Sequence, residues 1–342
     1  FANFSKALPH DSIGEVHSKA YIALLRALDS GLEADFQLVP LGGSVKLVNP
    51  QAAFCFDLVG ADSHQHRIAP SLSFASRGAA GEMVEAYWQA LTRDIPFSQY
   101  GYEPGTDAAI QDLNRLSAFL GPLQSGRVTP ATLFRGTSSG DLNGPYLSQF
   151  LWKDVPYGAG VIIQKYSTPH SGIDFLTSYD EWLAIQNGQS PPRSMILDDS
   201  PRFIRNARDL TWYVHQDFTY QAYLNACQIL LHSGNVGLSR SNPYSSFNKE
   251  SAFVTFGAAN ILEWIGSIAS AALRAAWCQK WLIHRRLRPE EFGGRVYQRI
   301  ANSKSYPIHA ELLNSAAIDR ILTHTGNALL PIAYPDRKST RL

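Results

Sequence analysis

The chain has 342 residues and a mass of 37.8 kDa, with a formal charge of +1, 45% hydrophobic residues and 17% charged residues. That length allows a sizeable core, in one large domain or two. The near-zero charge excludes a nucleic acid or a membrane surface held by bulk charge, so any anion site must be local.

An apolar, charge-poor composition implies that much surface is covered, by other helices or by another subunit. Three cysteines (Cys55, Cys227, Cys278) are too few and too scattered for a disulfide scaffold or a zinc site, and buried free thiols are the default. The longest apolar run, Phe253 to Trp277, is interrupted by Asn260, Glu263 and Arg274, so no bilayer span is expected. The sequence opens on Phe1 with no visible signal peptide, which reads as a mature form or an incomplete sequence.

In chain order, residues 1–19 are polar and loop-like, with a turn at Leu8-Pro9-His10-Asp11. Tyr21, Leu24, Leu25 and Leu28 stand at helical spacing and the helix stops near Gly31. Residues 36–60 read as extended, with strand-like runs at 36–41 and 45–48 and a buried strand or loop at 52–59. His64 and His66 lie two apart in the following loop, but without a third ligand nearby they predict no metal site.

Helices are expected at 81–93, 107–119 and 178–187, with an irregular Gly- and Pro-rich stretch at 121–146 between the second and third. Leu147 to Trp152 reads as a helical turn, and Val161 to Tyr166 is the best strand-like run. From Pro201 the pattern is almost wholly helical: 202–214, 220–232, and then Phe253 to Leu287 as one long helix or two in tandem. Apolar nearly all round and rich in small residues, that last segment should lie at the centre of a bundle.

Chemistry concentrates at its end. The stretch from Trp277 to Glu290 holds two Trp, one Lys, one His and three Arg before it reaches Pro289. Trp277, Lys280, His284 and Arg288 share one helical face at spacings of three, four and four, and Pro289 predicts that the helix ends at about Arg288. On residue types alone the ordinary reading leads: cations at a helix C-terminus complement the dipole and snorkel into water. The functional reading is an oxyanion pocket, in which Lys280 supplies a point charge and Arg288 a two-donor fork, suited to vanadate, phosphate or sulfate alike.

The segment WCQKWLIHRRLRPEEFGG, with seven residues between Lys280 and Arg288-Pro289-Glu290, resembles the first vanadate-binding segment of the algal vanadium-dependent haloperoxidases. Related acid phosphatases keep a similar Lys and Arg-Pro pair with six residues between. The segments at 3–11, 47–60, 85–101, 133–136, 144–151, 180–188, 202–210 and 253–257 also look like brown-algal bromoperoxidase sequence, in the family's order.

The resemblance implies a mainly α fold, a helical bundle of the vanadium haloperoxidase and acid phosphatase type with a few short strands. It is read as one incomplete helical domain over 1–342, with mixed helix and loop at 1–200 and a bundle part at 201–330 carrying the first half of the oxyanion site. The implied activity is oxidation of bromide or iodide by hydrogen peroxide to hypohalous acid, which halogenates small organic substrates, with vanadate as cofactor. Lys280 would be the catalytic residue, bonding the activated peroxide oxygen. Lys280 and Arg288 would bind vanadate oxygens, and Trp277 would wall the halide site. His284 matches a family residue but is read as a simply hydrogen-bonded helix-face histidine. The resemblance also implies a homo-oligomer, a dimer in the full-length form, in the extracellular space or cell wall.

The family continues from Leu-Leu-Pro into Ser-Gly-His and later a second Arg and the vanadium-binding His. Here Leu329-Leu330-Pro331 leads to the basic stretch at 336–342, and no Ser-Gly-His occurs in the sequence. The chain is therefore expected to be an N-terminal fragment without a metal ligand of its own, inactive or nearly so by itself. The loop at 239–250 has only Glu250 as a carboxylate, so no calcium is expected there. Asp198-Asp199 and the segment 205–209 are expected to form ion pairs that order helix ends. The alternatives are an acid phosphatase of the same fold, and a non-enzymatic oxyanion-binding or assembly protein.

Overall fold

The N-terminal half builds helices where local caps permit. In the computed structural model, which describes residues 2–58, 60 and 62–335, α1 (Ser18–Ser30) is closed by Gly31 in the left-handed region at φ 68°. The expected strand at 36–41 does not form: residues 36 and 37 end a short helix, α2 (Glu33–Gln37), whose acidic first turn suits a helix N-terminus, and 38–41 are turn and irregular. At 52–59 a 3-10 turn, Pro50–Phe54, starts on a proline that needs no partner for its missing N–H; Val59 lies outside the described residues, as does the stretch 336–342.

The central scaffold is α3 (Arg77–Thr92), which begins four residues before its expected start because Ser76 accepts a hydrogen bond from Ala79 N at 3.1 Å. Next comes α4 (Pro104–Leu113), which starts on a proline and ends six residues short of the expected 119. A two-stranded antiparallel hairpin, β1 (Val155–Tyr157) and β2 (Gly160–Ile162), takes only two residues of the strand-like run at 161–166. Val161 and Ile162 are exposed, so this is a surface hairpin rather than a core strand.

The helices α5 (Tyr179–Gln186), α6 (Ala207–Gln216) and α7 (Gln221–His232) follow near their expected places. As expected, ion pairs order the approach to α6. Arg202 pairs with Asp198 at 2.9 Å, and Arg208 with Asp94 at 2.6 Å and Asp174 at 2.8 Å.

The C-terminal part contains α8 (Ala258–Trp277), α9 (Pro289–Ile300), α10 (Ala310–Leu313) and α11 (Ala316–Thr325). One core packs α3 against α4, α9, α10 and α11 around Tyr87, Trp88, Leu113, Val296 and Ile318. A second joins the N-terminal segment and α1 to Trp277 and Trp281 through Phe4, Leu8, Leu24 and Leu28.

The placement of α8 corrects the expectation of a bundle centre. Among its residues only Trp277 is buried, and Trp264 and Ile268 remain 44% and 66% exposed. Apolar composition sets a demand for cover, but the described residues reach α8 mainly from α7 and the 3-10 turns at 50–54 and 63–65. All three cysteines are free thiols. Among the described residues no helix is long and apolar enough to cross a membrane.

Candidate functional site

The helix ends earlier than Pro289 alone implies. After Trp277 the backbone widens into a π-helical turn, Cys278–His284, closed by the bond from Arg285 N to Lys280 O at 3.1 Å. Arg285 then adopts a left-handed conformation (φ 42°), and Arg288 is extended (φ −74°, ψ 152°) as the residue capping the N-terminus of α9. Lys280 and Arg288 are therefore not on one helical face. Arg288 sits at the positive pole of α9, which favours a nearby anion instead of opposing it.

Lys280 is held by aromatic faces. Its Nζ lies 5.3 Å from the Phe4 ring centroid, 5.2 Å from Trp277 and 5.3 Å from Trp281. Each ring attracts the ammonium through its quadrupole, most strongly where water is excluded. Phe4 also meets Trp281 edge-on at 5.4 Å, and Trp277 donates its indole N–H to Val48 O at 3.2 Å.

Arg288 is held by charge. Its Nε donates to Glu290 Oε1 at 2.6 Å, and Lys6 Nζ donates to the same oxygen at 2.8 Å. Burial would raise the Glu290 carboxyl, but the Arg288 and Lys6 charges outweigh it and hold the group well below the usual carboxylate range. Burial pulls the Lys6 amine down, against the opposing attraction of Glu290. The next residue behaves oppositely. Burial and the Glu290 charge push the Glu291 carboxyl up to about 7, and its two oxygens are buried without hydrogen-bond partners among the described residues.

Lys280 and Arg288 come together at a cavity of about 340 Å³, whose wall also includes Phe4, Gln279, His284 and Arg286. Arg286 is ion-paired to Glu82 across it. His284, expected to be a simply hydrogen-bonded helix-face histidine, has its Nε2 buried with no partner among the described residues. Trp277 borders the cavity only through Lys280. On its other side Arg288 lines a second, larger cavity of about 840 Å³ with Arg93, His215, Glu290 and Tyr334.

Lys280 and Arg288, paired in the sequence, line one cavity, and the structure adds contacts from Phe4, Lys6 and Glu290 that the sequence did not single out. Glu290 stands in the Arg-Pro-Glu run itself, and its place two residues after Arg288 was the available signal. Nothing local marks Lys6, which lies 284 residues from its partner.

No family model matches the chain. It is 34% identical over 329 residues to a vanadium-dependent bromoperoxidase of Ascophyllum nodosum, covering 93% of this chain and 59% of that protein. It is 32% identical over 404 residues to one from Corallina pilulifera, covering 98% of this chain and 66% of that protein. Its fold matches the second vanadate-dependent bromoperoxidase of Ascophyllum nodosum with a TM-score of 0.91 at 32% identity, over 98% of this chain and 58% of that one. The chain thus spans roughly three fifths of the length of these relatives. The solved relative is a homohexamer, not the dimer that the sequence reading expected.

Proposed function

Because the chain belongs to the algal-type vanadium-dependent haloperoxidases, we propose that it carries the Lys280 and Arg288 half of a vanadate site serving peroxide-dependent halide oxidation. The observation that carries this reading is the convergence of both cations on one cavity, flanked by the family's own residues. The donor set fits a tetrahedral oxyanion: an ammonium, a guanidinium at a helix N-terminus, and a buried histidine nitrogen with no partner among the described residues. When bound, vanadate supplies the Lewis-acid activation of hydrogen peroxide through which bromide or iodide is oxidised.

The protein's own residues would hold and polarise. Lys280 presents a charge whose direction is set by three rings, so it meets the anion without first reorganising. Arg288 neutralises oxyanion charge, while Glu290 fixes the guanidinium through Nε. Trp277, expected as a halide-site wall, instead keeps the flank of Lys280 dry and would strengthen the electrostatic contacts there. Hydrogen peroxide, halide and small organic acceptors are the proposed reactants, and self-association is proposed on the model of the hexameric relative.

Vanadate binding to the full 342-residue chain, followed by vanadium NMR, tests the site. Saturable binding that weakens at least tenfold in Lys280→Ala and in Arg288→Ala is expected. Unchanged binding in either variant would overturn the reading. Bromination in the presence of peroxide and bromide is measured on the same preparation. Any turnover should fall in parallel with vanadate binding in both variants, and turnover that survives them would contradict the assignment.

A further inference from the structure

The segment from Asn3 to Lys6 crosses the candidate site, packing on Lys280 directly through Phe4 and reaching Arg288 through Glu290. Asn3 bridges Arg286, and Phe4 N donates to Arg285 O at 2.7 Å, which lays the segment along the loop between the π turn and α9. From there the Phe4 ring packs on Lys280 Nζ at 5.3 Å, while Lys6 reaches Glu290 at 2.8 Å, the oxygen that also takes Arg288 Nε at 2.6 Å. Phe4 is 6% exposed and Lys6 1% exposed, so the segment is part of the interior.

We infer that Phe4 and Lys6 are positioning residues for the oxyanion pair, an inference that rests on the reading of Lys280 and Arg288 as oxyanion donors. Phe4 supplies the ring face that comes from outside the π turn; Trp277 and Trp281 supply the other two from the same stretch of backbone as Lys280 itself. It limits where the flexible four-carbon side chain can place its charge. Lys6 acts one link further away. By sharing Glu290 Oε1 it fixes the carboxylate that orients the Arg288 guanidinium, and it offsets negative charge that would otherwise repel an anion. The two routes are independent, so they couple to different donors.

The test is a pair of double-mutant cycles on the full chain, read as affinity for vanadate and for inorganic phosphate by NMR titration. Phe4→Leu and Lys6→Met should each weaken binding about tenfold, while Phe4→Tyr and Lys6→Arg, which keep ring and charge, should stay within about twofold of the parent. Phe4→Leu should add little once Lys280→Met is present, and Lys6→Met little once Arg288→Met is present, whereas the crossed pairs should add in full. A loss of affinity confined to unfolding would appear equally in all four combinations and overturn the inference. So would wild-type affinity in Phe4→Leu and Lys6→Met alongside weakened Lys280→Met and Arg288→Met. No binding by the parent chain, or unchanged binding in Lys280→Met and Arg288→Met, would sink the oxyanion reading itself and the positioning roles with it.

Discussion

Trp182 on α5 donates its indole N–H to the backbone carbonyl of Glu290 at 2.8 Å, which ties the first turn of α9 to a helix more than 100 residues earlier. The same ring fills the space beside Gly294, where no side chain fits, and Gly293 lies against the Leu330 backbone in the same way. The paired glycines that follow Glu290 and Glu291 therefore set how deeply α9 sits, and with it where Arg288 points.

Two substitutions probe this contact. Trp182→Phe removes both the donor and the buried six-membered ring of the indole, and should cost roughly 2–4 kcal/mol. Gly294→Ala places a methyl into the indole and should cost roughly 1–3 kcal/mol or more. Urea unfolding midpoints of the two variants measure both, and a Gly294→Ala variant as stable as the parent would contradict the close packing.

Glu291 predicts a pH dependence of stability. Its folded carboxyl titrates near 7 against an ordinary value of 4.5, so the stability it allows is complete below about 4.5 and falls as pH rises through 7. The loss should total roughly 3 kcal/mol, levelling off above 7. Glu291→Gln should thus be more stable than the parent at pH 8 and should lose that advantage at pH 4. Burial and the Glu82 charge push Glu85 up to about 7 as well, so the slope should shrink in the variant without vanishing. Thermal melts across that range provide the check; a parent chain that grows more stable from pH 5 to 7 would contradict it.

Asp112 joins three elements. It accepts from Trp88 Nε1 at 2.8 Å on α3, and from Ala317 N at 3.1 Å and Ala316 N at 3.2 Å at the start of α11. Asp112→Ala leaves a buried indole N–H without its acceptor and uncaps a helix, a loss of about 3 kcal/mol. Asp112→Asn keeps one acceptor oxygen and should fall between. Equal stability of Asp112→Ala and the parent in denaturant titration would show that these bonds contribute nothing.

The outer face of α8 predicts how the chain behaves in solution. Trp264 and Ile268 on α8, and Phe253 and Val254 in the segment before it, are large apolar side chains left exposed. The chain should therefore associate or aggregate with rising concentration. Replacing Trp264 and Ile268 with Lys should suppress light scattering while changing stability by about 0.5 kcal/mol or less per site. Scattering that persists unchanged would place the association elsewhere.

Much of the helical architecture was legible because it depends on local chemistry, whereas Lys280 and Arg288 were singled out by the resemblance of their segment. Ser76, Ser178 and Asn206 announce helix starts by accepting from backbone N–H groups three residues on, and Gly31 announces an end by tolerating the left-handed region. The runs at 36–41 and 161–166 misled because short apolar stretches carry no reliable period. A five-residue helix and an exposed hairpin won there through acidic first-turn residues and a glycine turn.

By itself the sequence determined the helical class, the family resemblance, and the seven-residue spacing that joins Lys280 to Arg288. Only the tertiary structure decided how those two residues meet. The π turn and Arg285 break the shared helical face, the N-terminal segment brings Phe4 and Lys6 across the site, and Glu290 takes charge from both sides. The physical reason is range. Caps and periodicity act over one or two turns, whereas burial of Glu290 beside Arg288 is tolerable only when a second cation, Lys6, is folded onto it from far along the chain.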